Sequence, residues 1–173
     1  AALLGREDAA CAYYDDLIAA LAPVLDQEPT GKTVAFFYVT TSGAVNVRKS
    51  GDYIAKAIRM AGGEYVSFDE SGEENALSTM TIQMESFYDT ALDADVLIYN
   101  STIEGVMETR DQLIEKCPML ADFKAVQSGD CWCTAQSLFQ QSMELADLIS
   151  DMNHVFTEGS PDPASLRFLQ RIV

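Results

Sequence analysis

The apolar positions of this chain alternate between two kinds of segment. Residues 1–26 carry a helical period: Tyr13, Leu17, Leu21 and Leu25 recur every fourth position, with acidic residues clustered opposite. Pro23 sits late in that segment and predicts a bend or an end there. A polar linker containing Pro29 and Gly31 follows. Thr33–Val39, TVAFFYV, is then an unbroken apolar and β-branched run bounded by turn residues, which is how a strand buried on both faces reads. Thr40 to Lys49 reads as a long loop. Ser50 stands as the N-cap of a helix over Asp52–Ala61, whose Ile54, Ala57, Ile58 and Ala61 form one stripe and which Gly62-Gly63 ends.

The alternation continues to the end of the chain. Tyr65–Phe68 reads as a second short strand, Asp69–Ser78 as a polar loop, Met84–Ala91 as a helix and Val96–Tyr99 (VLIY) as a third buried strand. Gly105–Lys116 reads as a helix stopped by Pro118. Ala125–Gln127 and Cys131–Cys133 are short strand candidates around the turn Ser128-Gly129-Asp130, and a last long helix spans about Ser137 to Phe156. Strands alternating with helices predict an α/β fold: a three-layer α/β/α, doubly wound, mostly parallel sheet, preceded by one long helix. Ligands of such sheets lie outside the carboxyl ends of the strands. The loops expected to carry function are therefore 40–50, 69–78, 100–104 and 133–138.

Composition changes this picture mainly through charge. Apolar residues make up 48% and charged residues 22%, ordinary for a globular domain. Against 11 Lys and Arg stand 27 Asp and Glu, a net charge of -16. Such a surface repels phosphate backbones and anionic headgroups, which argues against nucleic acid and against direct membrane binding. Its carboxylates are suited to docking on a basic partner. No stretch approaches the roughly 20 apolar residues that span a bilayer. Ala1-Ala2-Leu3-Leu4 already reads as mid-helix sequence, without an initiator Met or signal peptide, so the chain is expected to be processed or cut from something longer.

Little of the chain carries catalytic chemistry. No glycine-rich phosphate loop follows a strand: TTSGAVNVRKSG after TVAFFYV matches neither the dinucleotide fingerprint nor the P-loop. No Gly-x-Ser-x-Gly elbow occurs. Cys11, Cys117, Cys131 and Cys133 form no CxxC pair, and Cys131-Trp132-Cys133 supplies only half of a zinc site, so no metal and no cofactor is expected. The only histidine, His154, lies on the terminal helix, away from the binding edge. Glu73-Glu74 and Asp93/Asp95 read as loop solvation. What stands out is Arg48-Lys49, the only adjacent basic pair in the first edge loop, flanked by Asn46 and Tyr53. A cation there pairs with an anionic ligand and an aromatic stacks on a flat one. Trp132, the only Trp, is a candidate for another wall of the same cleft.

Several stretches, in order, resemble the C-terminal lobe of the cluster III periplasmic-type binding proteins, which serve ABC importers of ferric siderophores, heme and cobalamin. GKTVAFFYV is similar to that family's first strand of the lobe, and SGDYIAKAIRMAGGEYV to its helix, Gly-Gly turn and second strand. TIQMESFYDTALDADVLIYNST resembles its Ser-x-Glu, helix, Asp-Pro-Asp and buried-strand segment, although Met84 precedes the glutamate here and DAD replaces Asp-Pro-Asp. FKAVQSGDCWCT resembles its late segment. The resemblance implies a non-enzymatic, extracytoplasmic substrate-binding component that is lipid-anchored only through a segment outside this chain. It implies residues 1–28 as a connecting helix, 29–173 as the C-terminal lobe, and an N-terminal lobe absent from this chain. It further implies Glu85 as the contact to arginines of the membrane permease. Asn46, Arg48, Tyr53 and Trp132 are the expected ligand residues and a ferric siderophore the expected ligand. The alternative is a chelatase-like or nitrogenase-like lobe of a metal-cofactor enzyme, with Cys131 and Cys133 as the available ligands.

Overall fold

The computed structural model describes residues 5–69, 78–141, 144–159 and 161–173. The sheet is built around β1 (Thr33–Val39), the segment with the longest apolar run. β1 pairs in parallel with β5 (Val96–Tyr99) in the register Val34↔Val96 to Phe37↔Tyr99, and β5 pairs in parallel with β6 (Cys131–Thr134). All four residues of β5 and of β6 are buried, as expected of strands covered on both faces. With β2 (Val45–Arg48) and β4 (Thr79–Ile82) beyond β1 and β7 (Leu169–Arg171) beyond β6, the sheet is parallel at its centre and antiparallel at its two edges, in the order β4-β2-β1-β5-β6-β7.

Helices cover both faces. On one, α1 (Glu7–Leu25), α2 (Tyr53–Met60) and α6 (Leu145–Glu158) pack Leu21, Ile54, Ile58, Ile149 and Phe156 against Val34, Phe36, Ile98 and Trp132. On the other, α3 (Met84–Ala91), α4 (Arg110–Lys116) and α5 (Lys124–Ser128) pack Phe87, Leu113 and Val126 against Phe37, Leu97, Tyr99 and the Cys131 and Cys133 thiols. The alternation of Cys131, Trp132 and Cys133 between the two layers follows from the two-residue period of a strand. The expected three-layer α/β/α architecture is thus present.

Local differences from the sequence reading have physical causes. The supposed loop 40–49 contains β2 (Val45–Arg48), antiparallel to β1, and β2 in turn pairs β4 (Thr79–Ile82). The hairpin turn is closed by the Thr40 hydroxyl, which accepts from the Ala44 N–H at 3.1 Å, and by Gly43 at φ 81. The N-cap of α2 is Asp52, which accepts from Ile54 N–H at 2.9 Å; Ser50 instead donates to Asp69. Ala125–Gln127 is helical, inside α5. The helix expected from Gly105 begins at Arg110, where Thr109 and Gln112 form a capping box. α6 starts at Leu145 rather than Ser137, and the chain closes with β7 (Leu169–Arg171), antiparallel to β6. Pro23 is accommodated inside α1, which runs on to Leu25. The second strand narrows to β3 (Glu64–Tyr65). Ala1–Leu4, Glu73-Glu74 and most of the loop 69–78 lie outside the described residues.

The Gly62-Gly63 stop is a Schellman ending. Gly62, at φ 87, donates to Arg59 O at 3.0 Å, and Gly63 donates to Ile58 O at 3.0 Å. β1 carries two different neighbours along one side: β3 in parallel at Thr33 and Val34, then β2 antiparallel from Phe37 to Val39. At this fork the Tyr65 hydroxyl donates to Arg48 O at 2.6 Å, closing β3 onto the end of β2.

Asp95, read from sequence as loop solvation, is a tie between strands. It accepts from the Thr33 N–H at 2.9 Å, the Thr33 hydroxyl at 3.0 Å and Lys124 Nζ at 2.7 Å. Burial alone would raise its carboxyl, but the bonds from Lys124 and Thr33 outweigh burial and hold it below the usual carboxylate range. A depressed folded pKa means the stabilisation is complete above the unfolded pKa and is lost as pH falls through the folded one. Asp95→Asn is therefore expected to cost about 1 kcal/mol at pH 7 and progressively less below about pH 4, as read by urea denaturation at each pH.

Candidate functional site

The carboxyl ends of β1 and β5 and the segment after β6 converge on a cavity of about 290 Å³. Its walls come from Phe36 and Tyr38 of β1, Asn46, Val47 and Arg48 of β2, and Thr79 of β4. Asn100, Thr102 and Ile103 after β5 and Phe139 after β6 complete it. This is the edge at which the alternating topology places a ligand. Among these, Ile103 is 63% exposed and presents an apolar rim.

Arg48 is the cation of the cavity. Its guanidinium lies 4.9 Å from the Phe139 ring centroid and 5.7 Å from that of Phe36, within cation–π range of both. Among the described residues its paired carboxylate is Asp52, 3.8 Å from Nη1, with the Arg48 side chain 12% and the Asp52 side chain 1% exposed. That separation exceeds hydrogen-bonding distance, so the pair offsets the buried charge while leaving guanidinium donors for a ligand. Asp52 is itself the N-cap of α2, with Oδ1 accepting from the Ile54 N–H while Oδ2 faces Arg48. Arg48 alternates with the buried Val47 and Val45 along β2, which is why it faces the opposite layer.

The polar groups around Arg48 are held from the sheet. Asn46 pairs across the ladder with Tyr38 on β1 and with Thr81 on β4, and its amide donates to the Thr81 hydroxyl at 3.4 Å. Asn100 donates its N–H to Phe37 O at 2.8 Å while its side-chain oxygen accepts from the Thr102 hydroxyl at 2.7 Å. The Tyr38 hydroxyl bonds to Glu104; burial first, then that carboxylate, pushes its pKa up. Glu104 is also paired with Lys116, and the bonds from Lys116 and Tyr38 hold its carboxyl below the usual range.

The structure brings together Asn46 and Arg48 of the four ligand residues read from sequence. Tyr53, 45% exposed, lines an adjoining cavity, with its ring 6.4 Å from that of Phe139. Trp132 is 2% exposed, in the layer covered by α1, α2 and α6, with Arg171 over its ring at 5.6 Å. The expected aromatic wall is therefore supplied by Phe139 and Phe36, and Trp132 is a core anchor. Phe139 went unread because the helix was extended back over it to Ser137. Its signal was an aromatic just past the β6 loop, in the polar stretch of Gln140 and Gln141. Glu85 is exposed in the first turn of α3.

Both thiols of β6 are buried. Burial pushes Cys131 up to about 12 and raises Cys133 as well. His154 sits half-buried on α6 beside Asp151. Among the described residues no group of three or more His, Cys, Asp or Glu could hold a metal ion, and no helix is long and apolar enough to cross a membrane.

An α/β lobe built on a central parallel sheet is the class this fold defines, and solved transport proteins share that fold. An ABC transporter substrate-binding protein from Listeria monocytogenes EGD-e superposes with a TM-score of 0.66 at 17% identity, over 91% of this chain and 60% of that one. A periplasmic heme-binding protein of Vibrio cholerae gives 0.67 at 17% identity, over 90% and 58%. An ABC-type Fe3+-hydroxamate transport protein from Saccharomonospora viridis DSM 43017 gives 0.70 at 18% identity, over 88% and 50%. This chain has the fold of part of these substrate-binding proteins, and spans 60% or less of the length of each of the three. No family model matches the chain, and no curated protein sequence does either.

Proposed function

We propose that residues 29–173 are the C-terminal lobe of an extracytoplasmic substrate-binding protein of an ABC importer. Residues 1–28 are its connecting helix, and an N-terminal lobe outside this chain forms the second wall of the site. The protein captures a metal chelate, a ferric siderophore by preference, and delivers it to a membrane permease without chemical change. Attachment to the membrane is through a lipid anchor beyond this chain. The observation that carries this reading is Arg48. In a chain of net charge -16, a cation lies over two aromatic rings at the carboxyl edge, with no side-chain hydrogen bond to it among the described residues. Anionic, flat, multidentate complexes match that arrangement. The sharing of fold with substrate-binding proteins for heme and Fe3+-hydroxamate supports the same reading.

The test is a thermal-shift screen of the two-lobe protein against ferric siderophores, heme and cobalamin. A ligand at about 100 times its Kd raises the unfolding free energy by about 2.7 kcal/mol, a shift of several degrees. Absence of any shift across the three classes sinks the reading. Glu85, exposed at the start of α3, is the proposed permease contact. Glu85→Arg is expected to leave ligand affinity unchanged and to lower uptake in permease-containing vesicles by about tenfold, since a like charge then meets the permease arginines.

A further inference from the structure

A second cavity of about 230 Å³ adjoins the Arg48 cavity, and Phe139 is a wall of both. Its floor is Leu138, Leu148 and Phe168, which are 6%, 1% and 1% exposed; Tyr53, 45% exposed, and Phe139, 38% exposed, stand at its outer side. Glu144 on its border is paired with Arg167 at 2.7 Å, so that carboxylate is neutralised where an anion would approach. An apolar cavity of about 150 Å³ stays dry and takes a benzene ring, so this one has room for an aryl ring or a short alkyl chain. The space opens to solvent past Tyr53 and Phe139, so an apolar group entering it removes the apolar lining from water.

Two facts tie this space to the cation. Arg48 lies over one ring, Phe139, whose edge also meets Tyr53 at the mouth of the apolar space. A group that pairs with Arg48 and extends past Phe139 therefore reaches the second cavity, since that ring lines both. Resting on the binding role proposed above, we infer that the ligand is an anionic amphiphile. Its charged head sits against Arg48, and an apolar ring or short chain attached to that head occupies the cavity behind Phe139. Tyr53 then acts through stacking on the apolar part rather than on the charged head, and Phe139 sets how the two parts are joined.

An iron-free probe separates this inference from the chelate reading. 8-Anilinonaphthalene-1-sulfonate carries a sulfonate beside an aromatic body and fluoresces when that body leaves water. Titrated into this chain, it is expected to bind at one site. Affinity should fall at least about tenfold both in Arg48→Gln, which removes the charge, and in Gln141→Trp, which fills the border of the second cavity. Ile18→Glu, in the groove between α1 and α6 that meets the second cavity only at Leu145, should leave the titration unchanged. In competition, benzenesulfonate should displace the probe at about one tenth the concentration that methanesulfonate needs, the difference being the buried ring. Circular dichroism and thermal unfolding confirm that each variant is folded. Absence of probe binding, indifference to Gln141→Trp, loss in Ile18→Glu, or equal potency of the two sulfonates each overturns the inference. The expected pattern, combined with no stabilisation of the two-lobe protein by any ferric chelate, supports the amphiphile site and sinks the chelate reading alone.

Discussion

Asp151→Ala is expected to lower the unfolding free energy by about 3 kcal/mol, because one oxygen of this side chain holds a whole terminal segment. Its Oδ2 accepts from the N–H of Arg167 at 2.8 Å, of Phe168 at 2.6 Å and of Leu169 at 3.2 Å. Asp151 is 4% exposed, and the alanine would leave those donors with neither carboxylate nor water. At about 2–4 °C per kcal/mol for a chain of this size, the melting temperature should fall by roughly 6–12 °C. Asp151→Asn keeps one carbonyl oxygen as acceptor and should lose only about 1 kcal/mol. Burial raises the Asp151 carboxyl, and the three N–H bonds offset that only in part. A folded pKa above the unfolded one means the contribution is complete below the unfolded pKa and declines as pH rises through the folded one. The gap between wild type and Asp151→Asn should accordingly narrow as pH rises through the acid range. A gap that widens would mean that the charge is stabilised in place.

Arg48→Ala is expected to weaken ligand binding by about 10- to 100-fold, the range for losing a charge-assisted contact in a sheltered site. The measurement is calorimetric titration of the two-lobe protein with whichever chelate the thermal screen selects. Arg48→Lys separates charge from shape: an ammonium keeps the attraction but loses the planar face that lies over Phe139. It should recover only part of the affinity. If Lys restores binding fully, the stacking geometry has no part in recognition. If Ala binds as tightly as wild type, the cation is structural, serving only to balance Asp52. Stability reports on that second role directly, since Asp52 keeps its bond from Ile54 whichever residue stands at 48.

The central sheet was legible because burial on both faces leaves a mark no other element leaves. TVAFFYV and VLIY carry no charged position and, after Thr33, are apolar or aromatic throughout, and the structure pairs them side by side and in parallel. The edge strands were not legible for the converse reason. β2 is only Val45–Arg48, with a burial alternation too short to stand out, although the turn Thr40–Gly43 before it could have signalled a hairpin. β7 is Leu169–Arg171, and a strand so short is defined by its partner, Cys133 and Thr134, rather than by its own residues. Ala125–Gln127 looked like a strand because Val126 is β-branched; its helix is fixed instead by Gly129 at φ 82, which caps it. Of the site, charge was visible and depth was not. Arg48 stood out in an acidic chain, whereas the burial of Trp132 depends on Arg171 and on helices distant in sequence. Asp95 looked like a solvating carboxylate because its partner Thr33 lies far along the chain, and nothing in the sequence marked Asp151, whose partners are the backbone of residues 167–169.

The forked side of β1 decouples recognition from the loop that leads to it. Arg48 is positioned by the ladder to β4, by the Tyr65 hydroxyl on its carbonyl and by Asp52, all behind the hairpin tip. The tip itself, Thr41 to Gly43, is exposed and touches none of these. Relatives of this chain could lengthen or recolour that turn to suit a second surface without displacing the cation. A fluorescent peptide or affinity tag inserted there would report on the protein while leaving Arg48 and its surroundings undisturbed.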